Sequence, residues 1–401
     1  MFNGNWKEKD SDSIELKICD PYITTDALDI LFGSFYSDYI NITVKVGLNL
    51  LIFEKLFQNV INVSAAASWF NLEEIRNTCE SFMVSELRAS TLNDFYDAAD
   101  RYEMKDLKCS CIRWLSRRIV ILENNEKSFN LLKNIPIDLM EKVISNPNTI
   151  VVSMEQDLFL NLMKWMYLKI NSNIEFSLNE DLFEKSFQFF NNEKPNFLLS
   201  PEGKDYAQIF KKIRLENIIN THKSANQMIR DEILPLNWVI KAFCTQWIRV
   251  LNIHEKHQAE QTNSSSGEQN SFFSDALDEL PSRPVDTNFW TFSERCGRNI
   301  EIEDSVISWK WDCYHFGCDF IIKYRRRVFT IIKYNSSSTR SMMNSYFFAS
   351  TQPLVKKINL EEQSSHEILR LPENFHFPIV ISANILRYDP VSMETRIFET
   401  F

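Results

Sequence analysis

Glycine is scarce in this sequence, and its scarcity limits the chemistry that the chain can support. Only 7 of the 401 residues are glycine, and no two of them have the spacing of a phosphate-binding or dinucleotide-binding loop. This argues against kinase, P-loop and dinucleotide-binding functions. Ser, His and Cys residues are widely dispersed, so no pair of nucleophile and base can be assembled from them. The sequence therefore predicts a protein that is not an enzyme and binds no cofactor.

An excess of basic residues and a long apolar run are also missing. The chain carries 44 Lys and Arg residues against 54 Asp and Glu residues, a formal net charge of −10. Nucleic acid is therefore not an expected partner, because binding it requires a concentrated basic surface. The most apolar stretch, VGLNLLIFEKLF, is interrupted by Asn49 and Glu54, well short of the ~20 apolar residues that span a bilayer. Because the first residues do not resemble a secretory signal, we expect a nuclear or cytoplasmic protein without membrane insertion.

Two groups of metal-ligating residue types stand out, but neither has the spacing of a metal site. His254 and His257 lie at the edge of a polar segment with no further ligand nearby, which favours a solvated helix end. The second group consists of Cys296, Cys313, His315 and Cys318. It lacks a CxxC pair, and the favoured interpretation is that these residues belong to the core of a β-rich domain. No metal site is predicted.

The hydrophobic pattern changes its period along the chain. From Ser64 to about residue 253, apolar residues recur at helical intervals. Residues 254–288 are mostly polar without periodicity, which predicts a linker. Beyond them, the β-branched and aromatic runs VISWKWD, CDFIIKY, VFTIIKY and FPIVISANIL predict strands. The predicted fold class is α+β with several domains.

Three capping signals predict where helices begin. Thr24 or Thr25 can cap a helix whose apolar face comprises Leu28, Leu31, Phe32 and Phe35. The sequences TLND at 91–94 and SMEQ at 153–156 have the pattern of a capping box, in which the first side chain and the fourth satisfy each other's backbone amides.

Residues 1–38, MFNGNWKEKDSDSIELKICDPYITTDALDILFGSFYSD, resemble the second half of a BTB/POZ domain. They match the end of a helix, a strand, and a helix with the pattern aliphatic-x-x-Phe-x-x-Tyr-x-Asp, here Ala27-Leu28, Phe32, Phe35-Tyr36 and Asp38. The resemblance implies a chain truncated within the BTB domain, without the half through which the family forms homodimers. Residues 43–63 are longer than the family's connection, which predicts an insertion near 46–62.

The rest of the chain extends this resemblance. VSAAASWFNLEEIRNTCESFMVSEL resembles the closing helix pair of the BTB domain, and residues 91–220 resemble the helical BACK extension. RCGRNIEIEDSVISWKWDCYHFGCDFIIKY is similar to the C-terminal region of the germ cell-less group of BTB-BACK proteins. The predicted domains are a partial BTB/POZ domain at 1–88, a BACK-type helical domain at 89–253, the linker at 254–288 and a β-rich domain at 289–401.

The resemblance implies a substrate adaptor for cullin-3 ubiquitin ligases with a role in germ-cell development. It also implies residence in the nucleus, with the nuclear envelope and the cytoplasm as further expected locations. In such adaptors a hydrophobic-x-Glu element contacts the cullin, and this element is here Trp6-Lys7-Glu8. The helices after the BTB domain would extend the contact, with Phe95 and Tyr96 as the expected residues. A Trp supplies a large anchor, and a flanking Glu suits a basic partner.

The β-rich domain is expected to bind an unknown protein client. The residues assigned to this contact are Trp309, Trp311, Arg325, Arg326 and Arg327. For Arg325 to Arg327, the favoured alternative to client binding is a charged hairpin end that prevents unwanted strand pairing. For the whole protein, the alternative is a tether that holds a transcription factor or a nuclear-envelope component without ubiquitin transfer.

Overall fold

A computed structural model describes residues 17–35, 50–178, 181–218, 222–263, 294–303, 305–311, 320–333, 341–349, 352–360, 365–371, 373, 377 and 379–386. The chain divides into two compact units, Met1–Ile112 and Arg113–Phe401. Among the described residues, no helix combines the length and the apolar character needed to cross a membrane.

The first unit is helical. Its helices are α1 (Thr25–Ser34), α2 (Leu50–Trp69), α3 (Glu73–Ser85), α4 (Leu92–Arg101) and the first part of α5 (Lys105–Ser116). Thr24 caps α1 as predicted, since its hydroxyl accepts a hydrogen bond from the amide of Ala27 at 3.2 Å. The strand expected before α1 falls largely outside the described residues.

Helix α2 runs through most of the stretch that was interpreted as an insertion. It begins at Leu50 and continues without a break to Trp69, so residues 50–62 belong to the same helix as Ser64 to Ala67. Asn71 then adopts a left-handed conformation, with φ of 56°, and allows α3 to turn back against α2. The described part of the first unit therefore closes with a pair of packed helices.

The capping box expected at the start of α4 does not form. Thr91 occupies the N-cap position, but its side chain makes no capping hydrogen bond. Its hydroxyl instead donates to the carbonyl of Glu86 at 3.0 Å and accepts from the amide of Arg88 at 3.1 Å. The sequence pattern located the helix start correctly, whereas the tight turn before the helix determines how the threonine bonds.

The second unit begins with helices and ends with strands. Its helices are α6 (Glu126–Asn134), α7 (Ile137–Ser145), α8 (Gln156–Ile170), α9 (Leu182–Gln188), α10 (Lys204–Phe210), α11 (His222–Arg230) and α12 (Leu236–Asn263). Trp165 of α8 lies in the core with 0% exposure, and its indole nitrogen donates to the carbonyl of Ile135 at 3.0 Å. Helix α12 includes the first ten residues of the predicted linker, 254–263.

The strands form two antiparallel sheets of four strands each. They are β1 (Glu294–Ile300), β2 (Ile307–Trp311), β3 (Phe320–Arg325), β4 (Val328–Lys333), β5 (Ser341–Ala349), β6 (Gln352–Leu360), β7 (Ser365–Arg370) and β8 (Ile379–Leu386). Sheet A has the order β1-β8-β5-β6, and sheet B has the order β2-β3-β4-β7. The four predicted runs coincide with β2, β3, β4 and β8, and the α+β class is confirmed.

Candidate protein-interaction surfaces

An exposed aromatic cluster lies at the C-terminal ends of α1 and α2. The ring of Phe32 is 6.0 Å from that of Phe35 and 5.4 Å from that of Phe70, which is 4.7 Å from the ring of Trp69. Phe35 is 55% exposed and Trp69 47% exposed. Phe32 and Phe35, which were assigned to the apolar face of this helix, are therefore exposed.

The reason is the side of α1 that packs in the first unit. The helix buries Ala27 and Leu31, which lie one turn apart, and it packs against α2. Residues at i and i+4 share a helix face, so Phe32, which directly follows Leu31, lies beside this buried line. Phe35 continues the line but lies at the C-cap, beyond the last residue of α1. Burying a small residue brings the helices close, and the larger rings remain outside.

The two aromatic residues expected to contact the cullin from α4 lie in the core. Phe95 is 0% exposed and Tyr96 is 2% exposed, because both belong to the packed face of a strongly amphipathic helix. The exposed side of α4 instead carries Asp94, Asp97 and Asp100. Trp6, Lys7 and Glu8 lie outside the described residues.

The carboxylates on this side of α4 are partly engaged within the helix and its neighbour. Asp97 pairs with Arg101 at 3.2 Å, and Asp100 pairs with Lys108. Burial, and to a smaller degree the charge of Asp97, raises the pKa of Asp94. The face is acidic, and it would suit a basic partner surface.

The candidate metal ligands do not come together in the described part of the chain. No group of three His, Cys, Asp or Glu residues that could hold a metal ion occurs there. Cys296 is 1% exposed within β1, while Cys313, His315 and Cys318 lie outside the described residues. His254 and His257 lie in α12.

A buried ion pair joins the helical part of the second unit to sheet A. The guanidinium of Arg295, on β1, donates to both carboxylate oxygens of Glu155 at 3.1 and 3.4 Å. The two side chains are 3% and 0% exposed. Arg295 also donates to the carbonyl of Asn146 at 3.2 Å, and Glu155 accepts from the amide of Arg214 at 3.2 Å. These bonds compensate for the cost of removing both charges from water.

The segment that leads into α8 lies along β1 and β8. The amide of Gly297 donates to the carbonyl of Ser153 at 3.0 Å. The amide of Val151 donates to the hydroxyl of Ser382 at 3.2 Å, and the side-chain amide of Asn384 donates to the carbonyl of Pro147 at 3.3 Å. We call these residues and the Arg295–Glu155 pair the polar junction. Through it, the helices and sheet A form one packed structure.

The polar junction accounts for the first part of the RCGR sequence, in which Arg295 supplies the buried charge. A Cβ atom on Gly297 would overlap the carbonyl oxygen of Val151, so the close approach requires glycine. Sequence reasoning did not find Glu155, Ser382 or Asn384. One signal was available, because Ser382 and Asn384 interrupt the apolar run IVISANIL at alternate positions of one strand.

Helix α8 begins at Gln156, at the end of SMEQ, but the predicted capping box does not form, and Asp157 instead binds the loop before the helix. Glu155 occupies the N-cap position and its side chain makes no capping bond. The carboxylate of Asp157 accepts from the amides of Val152, Ser153 and Met154, at 2.9, 2.6 and 3.3 Å. This leaves Glu155 free of a capping role, and its carboxylate meets Arg295 instead.

The arginine run lies at the turn between β3 and β4, as the hairpin interpretation predicts. Arg325 is opposite Val328, and Arg326 and Arg327 form the turn with φ of 48° and 64°. Arg327 pairs with Glu303 and lies over the ring of Phe377, 5.7 Å from its centroid. The hydrogen bond from Arg327 lowers the pKa of Glu303.

Trp309 and Trp311 lie in β2, opposite Ile322 and Phe320 of β3. All five residues that were expected to contact a client therefore belong to β2, β3 or the turn that follows β3 in sheet B. The structure brings them to neighbouring strands of a single sheet, and the client contact itself stays a prediction.

Comparison with known proteins gives a consistent result. No protein-family model matches the chain. It is 29% identical to Germ cell-less protein-like 1 of Homo sapiens over 340 residues, which cover 84% of this chain and 58% of the relative. It is 27% identical to Protein germ cell-less of Drosophila melanogaster over 346 residues, covering 80% of this chain and 55% of the relative. The match to Germ cell-less protein-like 2 of Homo sapiens is 26% identical and covers 97% of this chain and 72% of the relative.

The chain thus spans a little more than half the length of the first two of these relatives. The similarity covers four fifths of the chain or more in each of these comparisons. Over most of its length, the chain is therefore similar to germ cell-less proteins of human, mouse and fly.

Proposed function

We propose that this germ-cell-related protein is a non-enzymatic adaptor that binds the cullin-3 scaffold of a ubiquitin ligase and presents a protein client to it. The observation that carries the proposal is the exposed aromatic cluster, because Phe32 and Phe35 belong to the motif that resembles a BTB domain. In this proposal the protein acts in the nucleus during germ-cell development, and the chemistry of ubiquitin transfer resides in partner subunits.

The aromatic cluster has the properties of an interface anchor. Phe, Tyr and Trp are enriched at the centres of protein interfaces, where they bury large areas with few rotatable bonds. Leaving several neighbouring rings in water is unfavourable by roughly 25 cal/mol per Å² of apolar area. A partner that covers Phe35 and Trp69 recovers this free energy, which supports a docking role for the first unit.

The second unit has the properties needed to present a client. The polar junction fixes sheet A to the helices through buried hydrogen bonds and one buried ion pair. Sheet B contacts sheet A through β7 and β6, so a client bound by sheet B would be held next to the sheet that the junction fixes. An adaptor needs such rigidity, because ubiquitin transfer depends on where the client is held.

The direct test is binding of the purified chain to the N-terminal part of cullin-3, measured by biolayer interferometry. We expect a Phe35→Ala/Trp69→Ala variant to weaken binding at least tenfold, since aromatic anchors often contribute 2 kcal/mol or more. Trp6→Ala/Glu8→Ala should weaken it similarly. Trp247→Ala is the matched control, because Trp247 is 62% exposed on α12 in the second unit.

The adaptor proposal fails if the wild-type chain does not bind cullin-3, or if Trp247→Ala weakens binding as much as Phe35→Ala/Trp69→Ala. In the first case the alternative gains support, namely a tether for a nuclear-envelope component or a transcription factor. Circular dichroism and a thermal melt of each variant establish that the loss of binding does not come from unfolding.

A further inference from the structure

A long part of the β-rich region contains no acidic residue. Between Phe320 and Leu360 the sequence has eight Lys and Arg residues and no Asp or Glu. The chain as a whole has the opposite balance, with a formal net charge of −10. This local reversal of charge is concentrated at the β3–β4 hairpin, which contains Lys323, Arg325, Arg326 and Arg327.

The exposed basic residues of β3 lie on one face of the hairpin. Along β3, Ile322 and Tyr324 are buried with 3% and 0% exposure, whereas Lys323 and Arg325 are exposed. Alternate residues of a strand point to opposite faces, so Lys323 and Arg325 share the outer face about 7 Å apart. Arg326 continues this exposed series at the turn. Within the described part of the chain, no ion pair engages these three residues.

The turn itself is an unfavourable place for arginine. Arg326 and Arg327 both have positive φ, and two-residue hairpin turns of this kind favour Asn-Gly or Gly because a Cβ atom is strained there. Arg327 has a structural role, since it pairs with Glu303 and covers Phe377. No such contact explains Arg326 among the described residues. Strain that the fold does not require is a reason to look for a function.

We propose that the outer face of the β3–β4 hairpin, formed by Lys323, Arg325 and Arg326, binds an acidic peptide segment of the client. This inference rests on the proposed adaptor function, because it names the chemistry of the client contact. An extended segment with carboxylates at alternate positions repeats about every 7 Å and so matches the spacing of Lys323 and Arg325. Arginine adds two parallel hydrogen bonds to a carboxylate.

An acidic peptide fits this surface better than nucleic acid does. Nucleic acid carries a dense line of phosphates and needs basic residues along an extended surface. Here three exposed cations occupy one hairpin in a protein of net charge −10. The negative charge of the rest of the protein repels a long polyanion beyond the immediate contact. A short segment with two or three carboxylates meets the cations without meeting the rest of the acidic surface.

The experiment uses the full chain and a fluorescein-labelled peptide of alternating Glu and Ser residues, with fluorescence anisotropy at low and high salt. We expect binding that weakens with salt. The variant Lys323→Gln/Arg325→Gln/Arg326→Asn should lose about tenfold in affinity, because three exposed charge pairs each contribute modestly. Asn at position 326 keeps the turn, since Asn tolerates positive φ.

Arg298→Gln is the matched control, because Arg298 is an exposed arginine on a strand of sheet A. Its affinity for the peptide should stay within twofold of wild type. The proposal is overturned if the wild-type chain does not bind the peptide, if the triple variant binds as well as wild type, or if Arg298→Gln loses as much as the triple variant.

A single-stranded oligonucleotide with the same number of charges serves as competitor. If the oligonucleotide displaces the labelled peptide at a lower concentration than unlabelled peptide does, the surface is assigned to nucleic acid and the proposal is overturned. The assay contains no cullin-3, so its failure is distinguishable from failure of the proposed adaptor function.

Discussion

Sheets A and B have the same number of strands and the same antiparallel pairing, but they use polar residues in opposite ways. Sheet A buries Arg295, Ser382 and Asn384, which are 4%, 1% and 0% exposed. Sheet B buries Tyr324 and Phe329 on one side of its central hairpin and exposes basic residues on the other. In sheet A polar groups bind the rest of the unit, and in sheet B the side chains of Lys323, Arg325 and Arg326 are exposed.

This difference shows that charge alone does not identify a binding residue. A buried arginine is costly unless its partners are in place, and it then contributes to one defined arrangement of the chain. An exposed arginine costs little and contributes little until a partner arrives. Arg295 and Arg325 lie in the same region of the sequence, yet Arg295 is buried and paired whereas Arg325 is exposed.

The largest effect is expected for breaking the buried ion pair of sheet A. Glu155→Ala leaves the guanidinium of Arg295 buried without its carboxylate, which should lower the free energy of unfolding of the second unit by about 3–5 kcal/mol. Urea unfolding followed by tryptophan fluorescence measures the change. Asp138→Ala is the control, because Asp138 forms an exposed pair with Lys142 at 3.1 Å, and it should cost only about 0.3–0.5 kcal/mol. Equal losses in the two variants would contradict the role of the polar junction.

The next largest effect is expected for Gly297→Ala in β1. The added Cβ overlaps the carbonyl oxygen of Val151, and relieving the overlap should cost about 1–3 kcal/mol in the same urea experiment. Gly33→Ala in α1 is the opposite case, because nothing lies within 4 Å of its Cβ position. It should stabilise the first unit by about 0.5 kcal/mol. A neutral Gly297→Ala would show that β1 and the Val151 segment are not closely packed.

The smallest effect is expected for the exposed residues of sheet B. Lys323→Gln/Arg325→Gln removes two charges but no buried contact, so the free energy of unfolding should change by no more than about 0.5 kcal/mol. Thermal melts monitored by circular dichroism give the measurement. A loss as large as that of Glu155→Ala would mean that these side chains hold the sheet together, and the contrast between the two sheets would disappear.

Local patterns predicted much of the fold. Strands β3, β4 and β8 were predictable because hydrophobic and β-branched residues cluster within single short runs. The position of the arginine run at a hairpin end was predictable too, because turns are exposed to solvent and charged residues favour exposed positions. The beginning of α1 at Thr24 needed only the side chain and the backbone amide three residues later.

Strand β1 was not predicted, and its partner explains why. ERCGRNI has neither alternation nor a run of apolar residues, and its inward-facing Arg295 is compatible with a sheet only because Glu155 lies 140 residues earlier in the chain. The exposed rings of Phe32 and Phe35 were missed for a related reason. Helical spacing identifies apolar residues of a helix, but the neighbouring helix selects which of them it covers.

The sequence by itself determined where most helices and four of the strands form, and which family it resembles. These properties depend on residues that are close in sequence, or on composition. Only the tertiary structure decided which charges are buried and paired, and which aromatic rings and arginines remain exposed. The physical reason is that burial and ion pairing depend on contacts between distant segments, and the cost of removing a charge from water is offset only where those contacts form.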